Sequence, residues 1–146
     1  YLVSDHGQRA ALMVVRDNRV LLARQYRLLV NGISLEIPGG KVDDGEDPCA
    51  AAVRECWEET GVRGMDPKLL VAFHPGLDIS NNYTQIYYAH ACDESTAADG
   101  ARSSWIPLDE CVSLIGRQEI VDALSVMGIL AYREMAARGS SVGRAG

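Results

Sequence analysis

The chain has 146 residues, with 14 Lys and Arg against 20 Asp and Glu, and a formal net charge of −6. This length suits a single domain with a substantial core, and a charged fraction of 23% is typical of a globular rather than a disordered chain. The acidic balance disfavours sequence-independent nucleic-acid binding, because such binding needs a surplus of cations to displace counterions from phosphates. No nucleic-acid partner is therefore expected.

Signals for a membrane or for zinc are also missing from the sequence. No run of 18 apolar residues occurs, so neither a transmembrane helix nor a membrane partner is expected. The four cysteines form no C-x-x-C pair, which disfavours a zinc or thioredoxin-like site. Scattered thiols favour a reducing compartment, and we expect a cytoplasmic protein.

In chain order, the first predicted elements are strands. Residues 10–15 and 20–24 are β-prone, and Asp17-Asn18 between them is typical of a tight two-residue hairpin. Residues 33–37 alternate apolar and polar side chains, which indicates a half-buried strand that ends at Pro38.

A helix is predicted next, with signals at both ends. Asp47 suits the N-cap, and Pro48 suits the first helical position, where its missing N–H is not needed. Thr60-Gly61 marks the end, because glycine readily adopts the left-handed conformation of a helix C-cap.

Strands return after this helix, at residues 69–74, 84–92 and 103–106. Residues 117–138 carry apolar side chains at helical spacing, which indicates a core-facing helix, with a dimer contact as the second hypothesis. The order of strands, helix, strands and helix predicts a mixed α/β (α+β) fold.

The end of the chain is predicted to differ from the rest. Residues 139–146 are rich in Gly and Ser and are expected to form a flexible C-terminal tail. Residues 1–138 are expected to form a single domain.

Three carboxylates share one face of the first predicted helix. Glu55, Glu58 and Glu59 are three or four residues apart and therefore project to the same side. Their mutual repulsion is only partly offset by Arg54, four residues before Glu58. A compact set of carboxylate oxygens suits a hard divalent cation such as Mg²⁺ or Mn²⁺, which recruits substrate phosphates. A solvated acidic surface is the alternative interpretation.

The loop before this helix favours the metal interpretation. Glycines at positions 39, 40 and 45 allow tight turns and the close approach of a ligand. Three more acidic residues lie directly before the helix: Asp43, Asp44 and Glu46.

The spacing of these residues resembles the Nudix box. Gly40, then Glu46, then Arg54-Glu55-Cys56-x-Glu58-Glu59-x-Gly61-Val62 match the box at every charged and glycine position. Cys56 stands where an aliphatic residue is usual, and a buried cysteine behaves as a small hydrophobe. The resemblance implies the Nudix fold, a mixed sheet sandwiched between helices. It also implies metal-dependent hydrolysis of a nucleoside diphosphate linked to another group.

The resemblance further implies roles for single residues. Glu55 and Glu59 are expected to be the principal ligands of Mg²⁺ or Mn²⁺. Glu58 is expected to be a third ligand or a catalytic helper, and the carbonyl of Gly39 often joins the ligands in relatives. Arg54 is expected to orient the carboxylates through Glu58. The loop glutamate of the box is expected to tie the loop to the helix.

Segments outside the box resemble the ADP-ribose and ADP-sugar pyrophosphatase branch. They are Arg24-Gln25-Tyr26-Arg27, residues 35–41 and Pro75-Gly76. By this resemblance Arg27 contacts the diphosphate, for which guanidinium is the preferred bidentate partner. Glu36 would lie near the site. The alternative for Arg27 is a surface arginine at the end of a strand.

Three residues compete for the role of catalytic base. Relatives often carry a glutamate in a late loop, which in this chain spans residues 93–100. Glu94 is the candidate there, and Glu58 and Asp99 are its rivals.

Four aromatic residues and His74 are further candidates for contact with a substrate. His74 could touch a phosphate, although a loop histidine more often caps or packs. Trp57 is expected in the core rather than as a platform for a nucleobase. For Tyr83, Tyr87 and Tyr88, strand packing is favoured over stacking on a base.

These features together predict a Nudix pyrophosphatase that hydrolyses the diphosphate bond of a nucleoside diphosphate sugar. The best single guess is ADP-ribose, giving AMP and ribose 5-phosphate. The alternatives are hydrolysis of a nucleoside triphosphate or dinucleotide, and a non-catalytic ligand-sensing Nudix module. The expected partner is a small nucleotide substrate, and a homodimer is a further hypothesis.

Overall fold

A computed structural model describes residues 2–92 and 102–144, with side chains described for 2–92 and 102–139. The strands are β1 (Ser4–Asp5), β2 (Arg9–Arg16), β3 (Arg19–Arg27), β4 (Gly32–Glu36), β5 (Gly39–Lys41), β6 (Gly64–Phe73), β7 (Ser80–Asn81), β8 (Thr84–Ala91) and β9 (Ser103–Pro107). The helices are α1 (Pro48–Thr60), α2 (Leu108–Gly116) and α3 (Ala123–Arg144), with a 3-10 turn at Leu28–Val30.

The predicted hairpin is confirmed. Asp17 and Asn18 both have positive φ, 51° and 60°, which is the backbone of a tight turn whose twist matches the flanking strands. The turn sets the antiparallel register of β2 and β3, in which Val15 lies opposite Val20.

Strand β2 lies inside a seven-stranded mixed sheet. The order is β4-β3-β2-β8-β6; β5 also pairs with β2, and β9 with β3. Strand β2 runs parallel to β8 and antiparallel to β3 and β5. This mixed pairing confirms the predicted fold class.

The core lies on both faces of the sheet because β2 is buried on both sides. Leu12 and Val14 belong to one cluster with the apolar face of α1, including Ala52. Met13 belongs to a second cluster with the apolar faces of α2 and α3, including Ile129. The sheet is therefore sandwiched between helices, as predicted.

Helix α1 begins and ends as its sequence predicts. The side chain of Asp47 accepts a hydrogen bond from the N–H of Ala50 at 3.1 Å, which satisfies a backbone donor of the first turn. Gly61 has φ 73°, and its N–H donates to the carbonyl of Trp57 at 2.9 Å.

The prediction of one helix over residues 117–138 is wrong at its start. Helix α2 ends at Gly116, and Gln118 has a φ of 61°, so the chain leaves the helical conformation before α3. Asp122 then accepts a hydrogen bond from the N–H of Ser125 and caps α3, which begins at Ala123. The helix continues through Arg144, into the segment predicted as a tail. The predicted domain limit at residue 138 stays a prediction.

The expectation that Trp57 lies in the core is wrong. Its side chain is 47% exposed, and the Arg63 guanidinium lies 4.4 Å from the centre of its ring. The indole is thus partly covered by a cation instead of by the sheet.

Two further sequence expectations concern the environment of the protein. None of the helices in the described part of the chain is long and apolar enough to cross a membrane. All four cysteines are free thiols. A location in the cytoplasm stays a prediction.

Candidate active site

Arg54 is the centre of an ion-pair network on α1. Its Nε and Nη2 donate to the two carboxylate oxygens of Glu46 at 2.9 and 3.0 Å. Its Nη1 donates to Glu55 at 3.1 Å and to Glu58 at 3.2 Å. These hydrogen bonds, above all the two with Glu46, raise the pKa of Arg54, and the same two lower the pKa of Glu46. Arg54 thus contacts Glu58, as expected, and three more carboxylates besides, those of Asp43, Glu46 and Glu55.

The same network joins the loop to the helix. Glu46 accepts a hydrogen bond from the N–H of Asp43 at 3.1 Å while it holds Arg54. Arg54 also donates to the carbonyl of Lys41 at 3.2 Å. This geometry agrees with the role expected for the loop glutamate, because one side chain contacts both segments.

Glu55 lies directly against the backbone of β5. A Cβ placed on Gly40 would stand 2.5 Å from the Glu55 carboxyl carbon and 2.6 Å from its Oε1. Real Cβ atoms do not approach this closely, so a larger residue at 40 would displace the carboxylate. The glycine of the box therefore makes room for the glutamate of the box.

Glu59 carries an orphaned oxygen. Its Oε2 is buried and has no hydrogen-bond partner within the described residues. Burial, with the nearby charge of Glu55, raises the pKa of Glu59 to about 7, although the N–H of Gly39 hydrogen-bonds the carboxylate and opposes the shift. A buried carboxylate oxygen without a donor is costly unless a cation binds it.

The residues present fit a hard divalent cation. Glu55 and Glu59 supply carboxylate oxygens one helical turn apart, and the unpartnered oxygen of Glu59 is a free ligand position. No group of three His, Cys, Asp or Glu converges into a ready-made cluster among the residues described. Glu58 accepts a hydrogen bond from Arg54, and the ligand roles expected for Glu58 and for the carbonyl of Gly39 stay predictions.

Arg27 and Glu36 form a two-point ion pair at the ends of β3 and β4. The guanidinium Nε and Nη2 lie 2.8 and 2.7 Å from the two carboxylate oxygens. Burial acts to raise the pKa of Glu36, but hydrogen bonds from Arg27 and Ser34 outweigh it and hold that pKa below its ordinary value. Glu36 is buried while Arg27 is half exposed. Arg27 is therefore anchored by the pair and still open to solvent.

A cleft of about 290 Å³, which we call the arginine cleft, places this pair beside the box. Its lining includes Arg9, Arg27, Glu36, Gly39, Asn82 and Asp122. Arg9, Asn82 and Asp122 were missed by the sequence reasoning. Of these three, only Asp122 has a signal in the sequence, because Asp is a common N-cap residue and it directly precedes the apolar pattern of α3. Two arginines and two acidic residues line the cleft, and the half-exposed Arg27 is the group that suits an anionic ligand.

A second cleft of about 540 Å³ adjoins the loop of the box. It lies between residues 5–8, 41–45 and 81–83, and His6 lines both clefts. Its polar lining includes Lys41, Asp43 and Tyr83.

Of the remaining candidates, Tyr83 lines the second cleft. Glu94 and Asp99 lie outside the described residues. The exposed ring of His74 lies 4.9 Å from the ring of Tyr83, so the histidine packs against that tyrosine, and a phosphate contact stays a hypothesis. Tyr87 is buried in β8, as strand packing predicts.

The fold and the box geometry agree with the comparisons to known proteins. The family model of the NUDIX domain matches residues 6–124, so the chain belongs to the Nudix family. A solved structure described as an ADP compounds hydrolase superimposes with a TM-score of 0.77 at 22% identity. It covers 90% of this chain and 74% of the other, and it confirms the fold.

Two curated relatives indicate which members of the family are similar. A CMP-5'-(N-acetyl-N-hydroxy-3-aminopropyl)phosphonate hydrolase of Streptomyces rubellomurinus is 35% identical over 130 residues, 84% of this chain. An ADP-ribose pyrophosphatase of Bacillus subtilis is 25% identical over 134 residues, 88% of this chain. The chain spans 62% of the first relative and 72% of the second. The predicted membership of the Nudix family is confirmed, and the similar relatives include the ADP-ribose pyrophosphatases that the sequence resembles.

Proposed function

We propose that the protein hydrolyses the diphosphate bond of a nucleoside diphosphate sugar with a bound Mg²⁺ or Mn²⁺. ADP-ribose is the leading substrate, with AMP and ribose 5-phosphate as products. The observation that carries this proposal is the buried, unpartnered Oε2 of Glu59, one helical turn from the carboxylate of Glu55. A protein that needed this helix only for packing would gain by replacing that glutamate with a neutral residue.

The protein's part in the reaction begins with binding. Arg27 is held by Glu36 with its outer face open, so it can meet diphosphate oxygens without first losing side-chain freedom. Arg9 lines the same cleft and adds a second guanidinium.

Neighbouring groups hold the carboxylates of the proposed metal site in place. Arg54 fixes Glu55 and Glu58 by direct hydrogen bonds, and Gly40 leaves room for the Glu55 carboxylate against β5. When bound, the cation neutralises charge on the diphosphate and lowers the pKa of a bound water. Glu58 is exposed and is a candidate to accept the proton of that water; Glu94 and Asp99 remain the rival candidates.

A second candidate substrate follows from the comparisons. The relative with 35% identity is named for a cytidine monophosphate linked to a phosphonate. Hydrolysis of a CMP conjugate would need the same two arginines and the same carboxylates, and would differ in the base and in the second acid group. It therefore belongs in any substrate test beside ADP-ribose.

The proposal also includes the setting of the protein. Four free thiols support a reducing cytoplasm. A homodimer stays a hypothesis that sedimentation would test.

A substrate panel tests the proposed function. Wild type, Glu59→Gln and the surface control Glu134→Gln are incubated with Mg²⁺ and ADP-ribose, a CMP conjugate, nucleoside triphosphates or dinucleotides, and the products are separated by chromatography. AMP and ribose 5-phosphate from wild type and the control, but not from Glu59→Gln, would support the proposal. Triphosphate cleavage without nucleotide-sugar cleavage would overturn the substrate class. No turnover by any variant would favour a ligand-sensing module.

A further inference from the structure

Ser125 joins the first turn of α3 to the backbone between β4 and β5. Its side chain is fully buried, and Oγ accepts a hydrogen bond from the N–H of Ile37 at 2.9 Å, 88 residues away in sequence. The same Oγ donates to Oδ2 of Asp122 at 2.6 Å. Because a hydroxyl has a single proton, this bond to Asp122 leaves the lone pairs of Oγ to face the Ile37 amide.

The amide held by this serine lies between the two halves of the candidate site. Ile37 directly follows Glu36, which fixes Arg27 by two hydrogen bonds. Two residues later strand β5 begins at Gly39, and its next residue, Gly40, lies directly against the carboxylate of Glu55. A shift of the Ile37 backbone would therefore move both the diphosphate-binding pair and the proposed metal ligand.

Asp122 completes the arrangement. Its carboxylate caps α3 through the N–H of Ser125 at 3.1 Å and lines the arginine cleft. The position of the helix and the position of the cleft wall thus depend on one side chain.

Packing alone does not call for a hydroxyl at this position. Ser125 is fully buried, and the apolar contacts of α3 with the sheet are made by other side chains, including Ile129, which an alanine at 125 would leave in place. What an alanine could not do is accept the buried N–H of Ile37, and an unsatisfied buried amide is costly.

We propose that Ser125, oriented by Asp122, is a positioning residue for hydrolysis. It acts through the Ile37 amide on the segment that carries Glu36 and Gly39, and it touches no substrate. This inference rests on the proposed function.

The first test compares Ser125→Ala with Ile129→Val, which removes one methyl group from a fully buried side chain on the same helix. Ser125→Ala is expected to lower kcat/KM about tenfold, as other changes behind a ligand do. Ile129→Val is expected to lower the melting temperature and to keep the wild-type kcat/KM. Equal kcat/KM for the two variants would overturn the inference.

The second test addresses the link to Asp122. Asp122→Ala should reproduce the loss seen in Ser125→Ala, and the double variant should be no worse than either single one, because both act through one hydrogen-bond chain. Asp122→Asn keeps an oxygen that can accept the serine proton, and should retain several-fold more activity than Asp122→Ala. Additive losses would contradict the shared chain.

A third readout does not depend on turnover. Amide hydrogen exchange at Ile37 is expected to accelerate at least about tenfold in Ser125→Ala relative to Ile129→Val, and Mn²⁺ binding measured by electron paramagnetic resonance is expected to weaken. If no substrate is cleaved but both changes occur, the proposed function fails, and Ser125 still positions the metal-binding segment through the Ile37 amide. Unchanged exchange at Ile37 would overturn the positioning role itself.

Discussion

Arg54 and Glu46 face each other with two parallel hydrogen bonds, of 2.9 and 3.0 Å, across the loop that precedes α1. The same guanidinium reaches Glu55 and Glu58. One side chain therefore determines both the shape of the loop and the direction of two carboxylates. This dependence gives the first prediction.

Arg54→Lys should lower kcat/KM by about 10- to 100-fold, because an ammonium cannot reproduce the planar fork and the glutamates lose their fixed orientation. The matched control is Arg117→Lys, which changes an arginine paired with two surface glutamates far from the box. The control should retain wild-type rates in a steady-state assay. If both variants lose activity equally, the network has no specific role.

Gly40→Ala should lower the rate of hydrolysis far more than the addition of one methyl group would suggest. The new Cβ would overlap the Glu55 carboxylate, and a displacement of about 1 Å at such a site costs about 100-fold in rate. Gly116→Ala is the control, because a Cβ there meets nothing within 4 Å and alanine favours the helix. Mn²⁺ titration and initial rates check the pair. Wild-type metal affinity in Gly40→Ala would contradict the close approach described above.

Glu59 should make the metal-free protein less stable as the pH rises. Its pKa is about 7 in the folded protein, against an ordinary value of 4.5, because burial penalises the charge. The folded state holds this proton more tightly than the unfolded state, so the free energy of unfolding falls between pH 4.5 and 7. After discounting for partial exposure, the loss is on the order of 1 kcal/mol.

Glu59→Gln should remove that dependence. Urea unfolding in EDTA at pH 5 and pH 8 should show a smaller difference for this variant than for wild type or for Glu134→Gln. Added Mn²⁺ should stabilise wild type and not Glu59→Gln, because only binding to the folded state raises its stability. A variant less stable than wild type at pH 8 without metal would argue that the carboxylate is already satisfied.

Substitutions of Arg27 and Glu36 should affect the stability of the protein and its binding of substrate differently. Arg27→Met leaves a buried carboxylate unpaired and should cost about 1–3 kcal/mol in the free energy of unfolding. Adding Glu36→Gln should recover part of that stability, whereas the KM for ADP-ribose should stay raised. The exposed ion pair between Arg138 and Glu134 offers a control. Arg138→Met should change the free energy of unfolding by less than about 1 kcal/mol. Recovery of the wild-type KM in the double variant would remove Arg27 from the substrate site.

The box helix could be predicted from the sequence because its signals are local. Asp47, Pro48 and Gly61 each act on the nearest turn, and i,i+4 spacing alone places the glutamates on one face. The hairpin at Asp17-Asn18 was predictable for the same reason.

Other parts depend on contacts between distant segments. Arg9 and Asp122 are far apart in the chain, and only the sheet order and the start of α3 bring them to one cleft. From the apolar spacing of residues 117–138 we predicted one helix, where the structure has a turn followed by a helix. The spacing does not reveal the positive φ of Gln118, at which the turn leaves the helical conformation. Trp57 was expected in the core because large aromatic side chains are usually buried. In the structure the Arg63 guanidinium covers its ring at the surface, a contact that the sequence does not reveal.

The measurement closest to the central claim is the rate of ADP-ribose hydrolysis with Mg²⁺ and with EDTA, for wild type and for Glu59→Gln at equal folded concentration. The α1 carboxylates are proposed to hold the cation that the reaction requires. Wild type should therefore release AMP only with Mg²⁺. The rate of AMP release by Glu59→Gln should be at least about 100-fold lower, a larger loss than substitution of a residue that only orients a metal ligand would cause. AMP release at the wild-type rate by Glu59→Gln, or in the presence of EDTA, would contradict the account.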